Sequence, residues 1–317
     1  MAVYTHVSAE SLGAFLRRYD HGALVSAKGI AEGVENSNYL VDTTEGRFIL
    51  TLYEKRVSAG DLPFFLAMLD HLADRGHPVP RALPDRAGVA IQMLEGRPAC
   101  LIEFLPGVSL SQPTEGQALA AARALGRMHR DLADFTGMRA NALGMTAWRP
   151  LLDQCGRSLD TIAAGLYDRV DRALAAVEAA WPQGLATGAI HADLFPDNVL
   201  MLGEEVTGLI DFYFACTDIR AYDLAVTHSS WAFDGQGMPL SPAVGRAIVT
   251  GYDAEHPLTD AERAALPVLA QGACIRFLLT RAWDWLNTPA DALVTRKDPL
   301  AYLRRLDWYE ANMGAFA

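Results

Sequence analysis

Lysine is nearly missing from this chain. Lys28, Lys55 and Lys297 are the only three lysines among 27 basic residues, and the others are arginine. A phosphate-clamping lysine therefore has few candidates. Acidic residues number 38 and leave a net charge of −11; nonspecific nucleic-acid binding, which needs clustered Lys and Arg, is excluded as an expectation. Cysteine is scarce too: Cys100, Cys155, Cys216 and Cys274 are dispersed with no C-x-x-C pair. That pattern argues against zinc ribbons and a disulfide framework and predicts reduced, buried thiols. The eight histidines show no metal-binding spacing. No apolar run approaches the roughly 20 residues of a membrane span. Met1–Glu10 is short and polar and lacks a basic-plus-apolar leader. A cytoplasmic protein without a membrane or nucleic-acid partner is expected. Internal repeats and low-complexity segments are absent from the sequence.

What remains is ordinary globular composition, 51% apolar and 21% charged over 317 residues, enough for two lobes and a large core. Ser8 precedes a capped amphipathic helix over 9–16. Strand patterns follow at 23–26, 39–41 and 47–53, with a polar glycine-bearing loop over 29–38 and a turn over 43–46. A helix is predicted over 62–73. Further strands are predicted over 89–93 and 99–105, joined by a turn at Glu95-Gly96. Pro106-Gly107 breaks the chain. Beyond it, alanine- and leucine-rich helices are predicted at 114–134, 151–155 with 158–181, 221–232, 241–255, 259–287 and 298–314. These patterns predict an α+β, protein-kinase-like bilobal fold: a small antiparallel sheet lobe over 1–105 and a larger, mostly helical lobe over 106–317.

One run interrupts the helices. His191-Ala-Asp193-Leu-Phe-Pro-Asp197-Asn198 is followed thirteen residues on by Ile210-Asp211-Phe212. The segment between reads as strand, turn and strand, which would bring Asn198 and Asp211 side by side. Two carboxylates and an amide at this spacing suit phosphoryl transfer from Mg-ATP. Asp193 would accept a proton from a substrate hydroxyl, while Asn198 and Asp211 would hold Mg2+. The bland reading, an Asp-rich loop with a helix cap and two surface carboxylates, fits a lone H-x-D better than this full set. In the sheet lobe, the loop over 29–38 would fold over the ATP phosphates. Gly33 would permit close backbone approach, and Asn36 and Ser37 would add donors. No G-K-[ST] follows, so it is not a Walker loop.

His191, Asp193, Asn198 and Asp211 match the H-x-D-x-x-x-x-N and I-D-F motifs of the aminoglycoside phosphotransferase and choline kinase-like superfamily. Longer strings resemble its homoserine kinase branch: Gly29–Tyr39, Leu50-Thr-Leu-Tyr-Glu54, His191–Val199 and Ile210-Asp-Phe-Tyr-Phe-Ala-Cys216. The resemblance implies ATP-dependent phosphorylation of the L-homoserine hydroxyl, a step toward threonine. It also implies an interlobe strand, Cys100–Leu105, in which the backbone of Glu103 and Leu105 meets adenine. Asp223 matches a position that braces the catalytic loop, and His191 is expected to hold that loop rather than exchange protons. A departure stands at Thr51, where the wider kinase fold has a phosphate-binding lysine or arginine.

Homoserine is a zwitterion and needs an anionic or carbonyl-rich contact and a cationic fork. Arg276 and Arg281 on one predicted late helix are candidates for the fork, and Asp197 for the ammonium. Tyr213, Asp218 and Trp231 are candidates for the pocket lining. The rival enzymatic reading is a kinase of another small hydroxylated amine: choline, ethanolamine, methylthioribose or an aminoglycoside. A different class, a nucleotide-binding pseudokinase module, rests on Thr51.

Overall fold

The computed structural model describes residues 5–30, 36–54, 58–288 and 296–316. Described residues up to Pro106 form one compact unit and those from Gly107 form a second. Gly33 and Lys55 lie outside the described residues.

The first unit is an antiparallel sheet with two α-helices. Helix α1 (Ala9–Leu16) starts at Ser8, whose hydroxyl accepts from the Ser11 amide at 3.0 Å. Strands β1 (Leu24–Ile30), β2 (Asn36–Thr43) and β3 (Gly46–Tyr53) follow, then helix α2 (Leu62–Ala73). Strands β4 (Ala82–Leu83), β5 (Gln92–Leu94) and β6 (Arg97–Glu103) complete the sheet in the order β1-β2-β3-β6-β4, with β5 on β6. Glu95 and Gly96 both have positive φ, 49° and 73°, as a two-residue hairpin turn requires. The predicted loop over 29–38 is shorter than expected, because β1 runs to Ile30 and β2 starts at Asn36. The strand predicted over 89–93 is confined to β5.

Register sorts this sheet into two faces, since side chains alternate along each strand. Tyr39, Val41, Leu50, Leu52, Ala99 and Leu101 point to the face that packs on Leu12, Phe15 and Leu16 of α1. The other face carries Ile30, Asn38, Thr51 and Cys100 in one cross-strand row, and Lys28, Leu40, Ile49 and Ile102 in the next. Lys28 thus shares a face with Thr51, two strands across and one row along, about 12 Å away.

The second unit is built on helices α3 (Glu115–Asp131), α4 (Met145–Cys155), α5 (Leu166–Ala180), α6 (Arg220–Trp231), α7 (Pro242–Glu255), α8 (Asp260–Asn287) and α9 (Leu300–Ala311). Capping boxes at Thr114/Gln117 and Thr259/Glu262 start α3 and α8. Two small ribbons lie among them: β7 (Thr187–Ile190) with β10 (Cys216–Ile219), and β8 (Val199–Leu202) with β9 (Glu205–Leu209). The β8–β9 hairpin was predicted, with Val199 opposite Leu209. The β7–β10 pair was not, because four-residue strands leave no periodicity to read.

α6 is buried on every side, and its His228 packs on Tyr309 and Phe316 at ring-centroid distances of 5.7 and 4.5 Å. Burial lowers the His228 pKa to about 3, so the ring is neutral in the folded protein. The unfolded chain gains a proton near pH 6.5 that the folded chain refuses, so stability falls as pH drops below that value. This group alone should cost about 2 kcal/mol between pH 7 and pH 5. Urea unfolding at the two pH values, compared with His228→Gln, checks this; an equal pH dependence in both proteins would contradict it.

Candidate active site

β7 ends at Ile190 and delivers His191, Ala192 and Asp193 into a tight loop. Ala192 has φ of 63°, a left-handed conformation that costs a non-glycine residue about 1 kcal/mol. That geometry is held from both ends. The amides of His191 and Ala192 donate to the two oxygens of Asp223 at 2.8 Å each, and the Ala192 carbonyl accepts from the Arg276 guanidinium. Asp223, on α6, is fully buried and also takes a hydrogen bond from Nε2 of His129 on α3 at 3.0 Å. A carboxylate only accepts, so the His129 proton sits on Nε2 and its Nδ1 accepts from the Tyr252 hydroxyl at 2.8 Å. Burial works to raise the Asp223 pKa, but the hydrogen bonds from His129 and the His191 amide outweigh it and hold the carboxyl below its ordinary value.

The β8–β9 hairpin sets the second half of the site. The Asn198 carbonyl accepts from the Ile210 amide at 3.0 Å, which places Asp211 one residue beyond the closing pair. Asp211 is left-handed, with φ 64° and ψ 55°. Asn198 Nδ2 donates to the Asp193 carbonyl at 2.7 Å and to its carboxylate at 3.2 Å, so the amide oxygen faces the other way. His191 joins the halves: Nε2 donates to the Ile210 carbonyl at 3.0 Å, Nδ1 accepts from the Asp193 amide at 3.3 Å, and the ring packs on Phe212 at 4.5 Å. Burial lowers the His191 pKa, which keeps this ring neutral and in one tautomer.

Burial also drives the Asp193 carboxyl well above the usual carboxylate range; Arg276 opposes the shift, while Asp211 and Asp197 add to it. Three carboxylates sharing one neighbourhood repel each other, and a divalent cation relieves that repulsion. The donor chemistry fits Mg2+: an amide oxygen and a carboxylate are hard ligands, and this ion takes its other positions from phosphates and water. Among the described residues no group of three or more His, Cys, Asp or Glu is arranged to hold a metal alone.

The other residues singled out in the sequence fall into clear groups. Asp197 is exposed, with Lys297 Nζ at 3.7 Å, and its charge acts on Asp193. Tyr213 is half-buried on the turn after Asp211. Asp218, on β10, accepts from Asn141 Nδ2 at 2.6 Å and from the Ile219 amide at 2.7 Å, so both oxygens serve the scaffold. Trp231 requires correction as a pocket lining: it is fully buried and its indole donates to the Leu194 carbonyl at 2.9 Å, behind the loop. Arg276 is 1% exposed and is likewise a loop support, with its guanidinium over the Phe277 ring at 4.4 Å. Arg281 is half-buried over the Tyr302 ring at 4.6 Å.

In the sheet unit, Ser37 is corrected as a phosphate donor. It stands opposite Leu52 on the α1 side of the sheet, fully buried, and donates to Glu54 at 2.8 Å. Asn36 is 3% exposed and its Oδ1 accepts from the Glu54 amide at 3.4 Å. Thr51 donates to Asn38 at 2.7 Å. Glu103 ends β6, and its carboxylate accepts from the Arg81 amide at 3.0 Å, so its side chain is committed within this sheet. Leu105 is half-buried just beyond. Sequence reasoning missed Tyr252, which carries no motif and is marked only by its contact with His129.

The chain has close and distant relatives. A model of the phosphotransferase enzyme family matches residues 26–265. The homoserine kinase of Gluconobacter oxydans (strain 621H) is 55% identical over 98% of this chain and 99% of its own length. That of Xanthobacter autotrophicus (strain ATCC BAA-1158 / Py2) is 52% identical over 98% of this chain and 97% of its own. Among solved structures, the amicoumacin kinase hAmiN, in complex with AMP-PNP, Ca2+ and Ami, superposes with a TM-score of 0.74 at 16% identity, covering 96% of this chain and 94% of its own. That likeness establishes the fold. The chain therefore belongs to the phosphotransferase enzyme family and, within it, to the homoserine kinase family.

Proposed function

We propose that this protein transfers the γ-phosphoryl group of ATP to the side-chain hydroxyl of L-homoserine, giving O-phospho-L-homoserine and ADP on the route to threonine. Identity of 55% across nearly the whole of a homoserine kinase carries this reading. The likeness to kinases of other small amines and antibiotics is one of fold, at 14–20% identity. Free homoserine and ATP are substrates of the cytoplasm, where we place the reaction.

In the reaction the homoserine hydroxyl oxygen forms a bond to the γ-phosphorus, the bond from that phosphorus to the bridging oxygen breaks, and ADP leaves. Asp193 takes the hydroxyl proton and orients the oxygen for attack. Its raised pKa makes it a stronger base than an ordinary aspartate. Mg2+ held by Asn198 and Asp211 would neutralise charge developing on the phosphates. Asn198 meanwhile fixes the Asp193 carboxylate through Nδ2. His191, Asp223, His129 and Arg276 keep the left-handed turn at Ala192 in place, so Asp193 does not have to be ordered when substrate arrives.

A substrate panel with coupled ADP detection tests the assignment. Homoserine is expected to exceed choline, ethanolamine, methylthioribose and kanamycin in kcat/KM by about a hundredfold or more, the discrimination that paired polar contacts supply. Preference for any of the others would sink it.

A further inference from the structure

Three arginines stand around one pair of aromatic rings behind and beside Asp193. Phe277 and Tyr302 stack at 5.0 Å. The Arg276 guanidinium lies over Phe277 at 4.4 Å, and those of Arg281 and Arg305 lie over Tyr302 at 4.6 and 4.3 Å. Among the described residues none of the three has a carboxylate within ion-pair distance, although the chain carries eleven more acidic than basic side chains. Cations withdrawn from water without an anion are costly, and structures keep them where something else compensates.

For two of the three the compensation is internal. Arg276 is 1% exposed and donates to the Ala192 carbonyl. Arg305 is 5% exposed and donates to the carbonyls of Ser229 and Asp234 at 2.8 and 2.7 Å. Arg281 differs. It keeps partial access to solvent and has one long bond, to the Asp298 carbonyl at 3.3 Å. Among the described residues its one hydrogen-bond acceptor is that carbonyl, which leaves most of its five N–H groups for a ligand, and the guanidinium lies over the face of Tyr302. Desolvation lowers its pKa, and the carboxylates of Asp193 and Asp197 are near enough to act on it.

We infer that Arg281 binds the α-carboxylate of the amino-acid substrate and so selects homoserine over amino alcohols that lack this group. The inference rests on the homoserine reading above and assigns one contact within it. A planar fork with free donors matches a carboxylate in two parallel hydrogen bonds. With the hydroxyl at Asp193, the α-carboxylate is the anionic group left to meet a cation, and Arg281 on α8 lies near enough for the Asp193 charge to act on it. Partial desolvation strengthens the pairing, and a substrate without the carboxylate leaves the Arg281 charge unmatched, which penalises it.

3-Amino-1-propanol is homoserine without its carboxylate and serves as the probe. Arg281→Met should lower kcat/KM for homoserine about a hundredfold, mostly through KM, as loss of a charge-assisted bidentate contact does. The KM for ATP should stay within about threefold of wild type, and the rate with 3-amino-1-propanol should hold or rise, because the charge left unmatched by that substrate is gone. Arg281→Lys should recover part of the homoserine activity. L-2-Aminobutyrate keeps the carboxylate and lacks the hydroxyl; its inhibition constant against wild type should rise by a similar factor in Arg281→Met, a readout that does not depend on turnover of the amino alcohol. Equal losses on both substrates, or an unchanged inhibition constant, would overturn the assignment to Arg281. No turnover of homoserine by the unmutated protein would instead overturn the underlying function.

Discussion

Asp193→Asn is expected to lower kcat about a thousandfold or more while leaving nucleotide affinity within a few-fold of wild type. Removing a positioned general base costs 10²–10⁴ in rate, and Asp193 also orients the attacking oxygen. The substitution keeps the size of the side chain and an acceptor for Asn198 Nδ2. Stability should hold or rise. Burial raises the folded-state pKa, so the charged carboxylate works against folding, and a neutral amide removes that penalty. Steady-state kinetics with a parallel thermal melt check both halves. A kcat above a tenth of wild type would remove Asp193 from the role of base, and a large fall in Tm would mark it as structural.

Asp223→Ala should have the second large effect, on fold and rate together. It strips the acceptor from the amides of His191 and Ala192 and from His129 Nε2, all inside the protein. Breaking a buried charged network by deleting one partner costs about 3–5 kcal/mol. That is a large part of the stability of a typical domain. Chemical denaturation should show the loss, and the surviving folded fraction should turn over slowly because Ala192 no longer holds its left-handed turn. Tyr252→Phe, one step further out, removes one hydroxyl donor to His129 and should cost only about 1 kcal/mol. Equal stability of Asp223→Ala and wild type would contradict the clamp.

The contrast between legible and illegible residues has a physical basis. The placement of Asn198 and Asp211 at one end of a hairpin could be read from spacing because the strand–turn–strand between them has a clear period. Trp231 and Arg276 lie near the catalytic loop, as their sequence context suggested, yet both face inward. Which way a helical side chain points depends on what packs against that helix, and α6 and α8 are buried over most of their surfaces. Ser37 was read as part of a loop, whereas β2 starts at Asn36 and the alternation of that strand turns Ser37 to the α1 side of the sheet. The short β7 and β10 escaped notice because four residues carry no pattern, although β7 is the element that presents His191. Thr51 lies where the sequence put it, in the centre of β3 opposite Cys100 and Asn38. Lys28 shares its face only because of the register of β1, which no local pattern discloses.

Product identification tests the central claim most directly. The unmutated protein would be incubated with ATP, Mg2+ and L-homoserine, and the reaction followed by phosphorus NMR. The account predicts a phosphomonoester resonance that matches O-phospho-L-homoserine, growing in step with ADP, and absent when homoserine is omitted or Asp193→Asn is used. ADP formation without that ester, or faster ester formation on an amine other than homoserine, would contradict it.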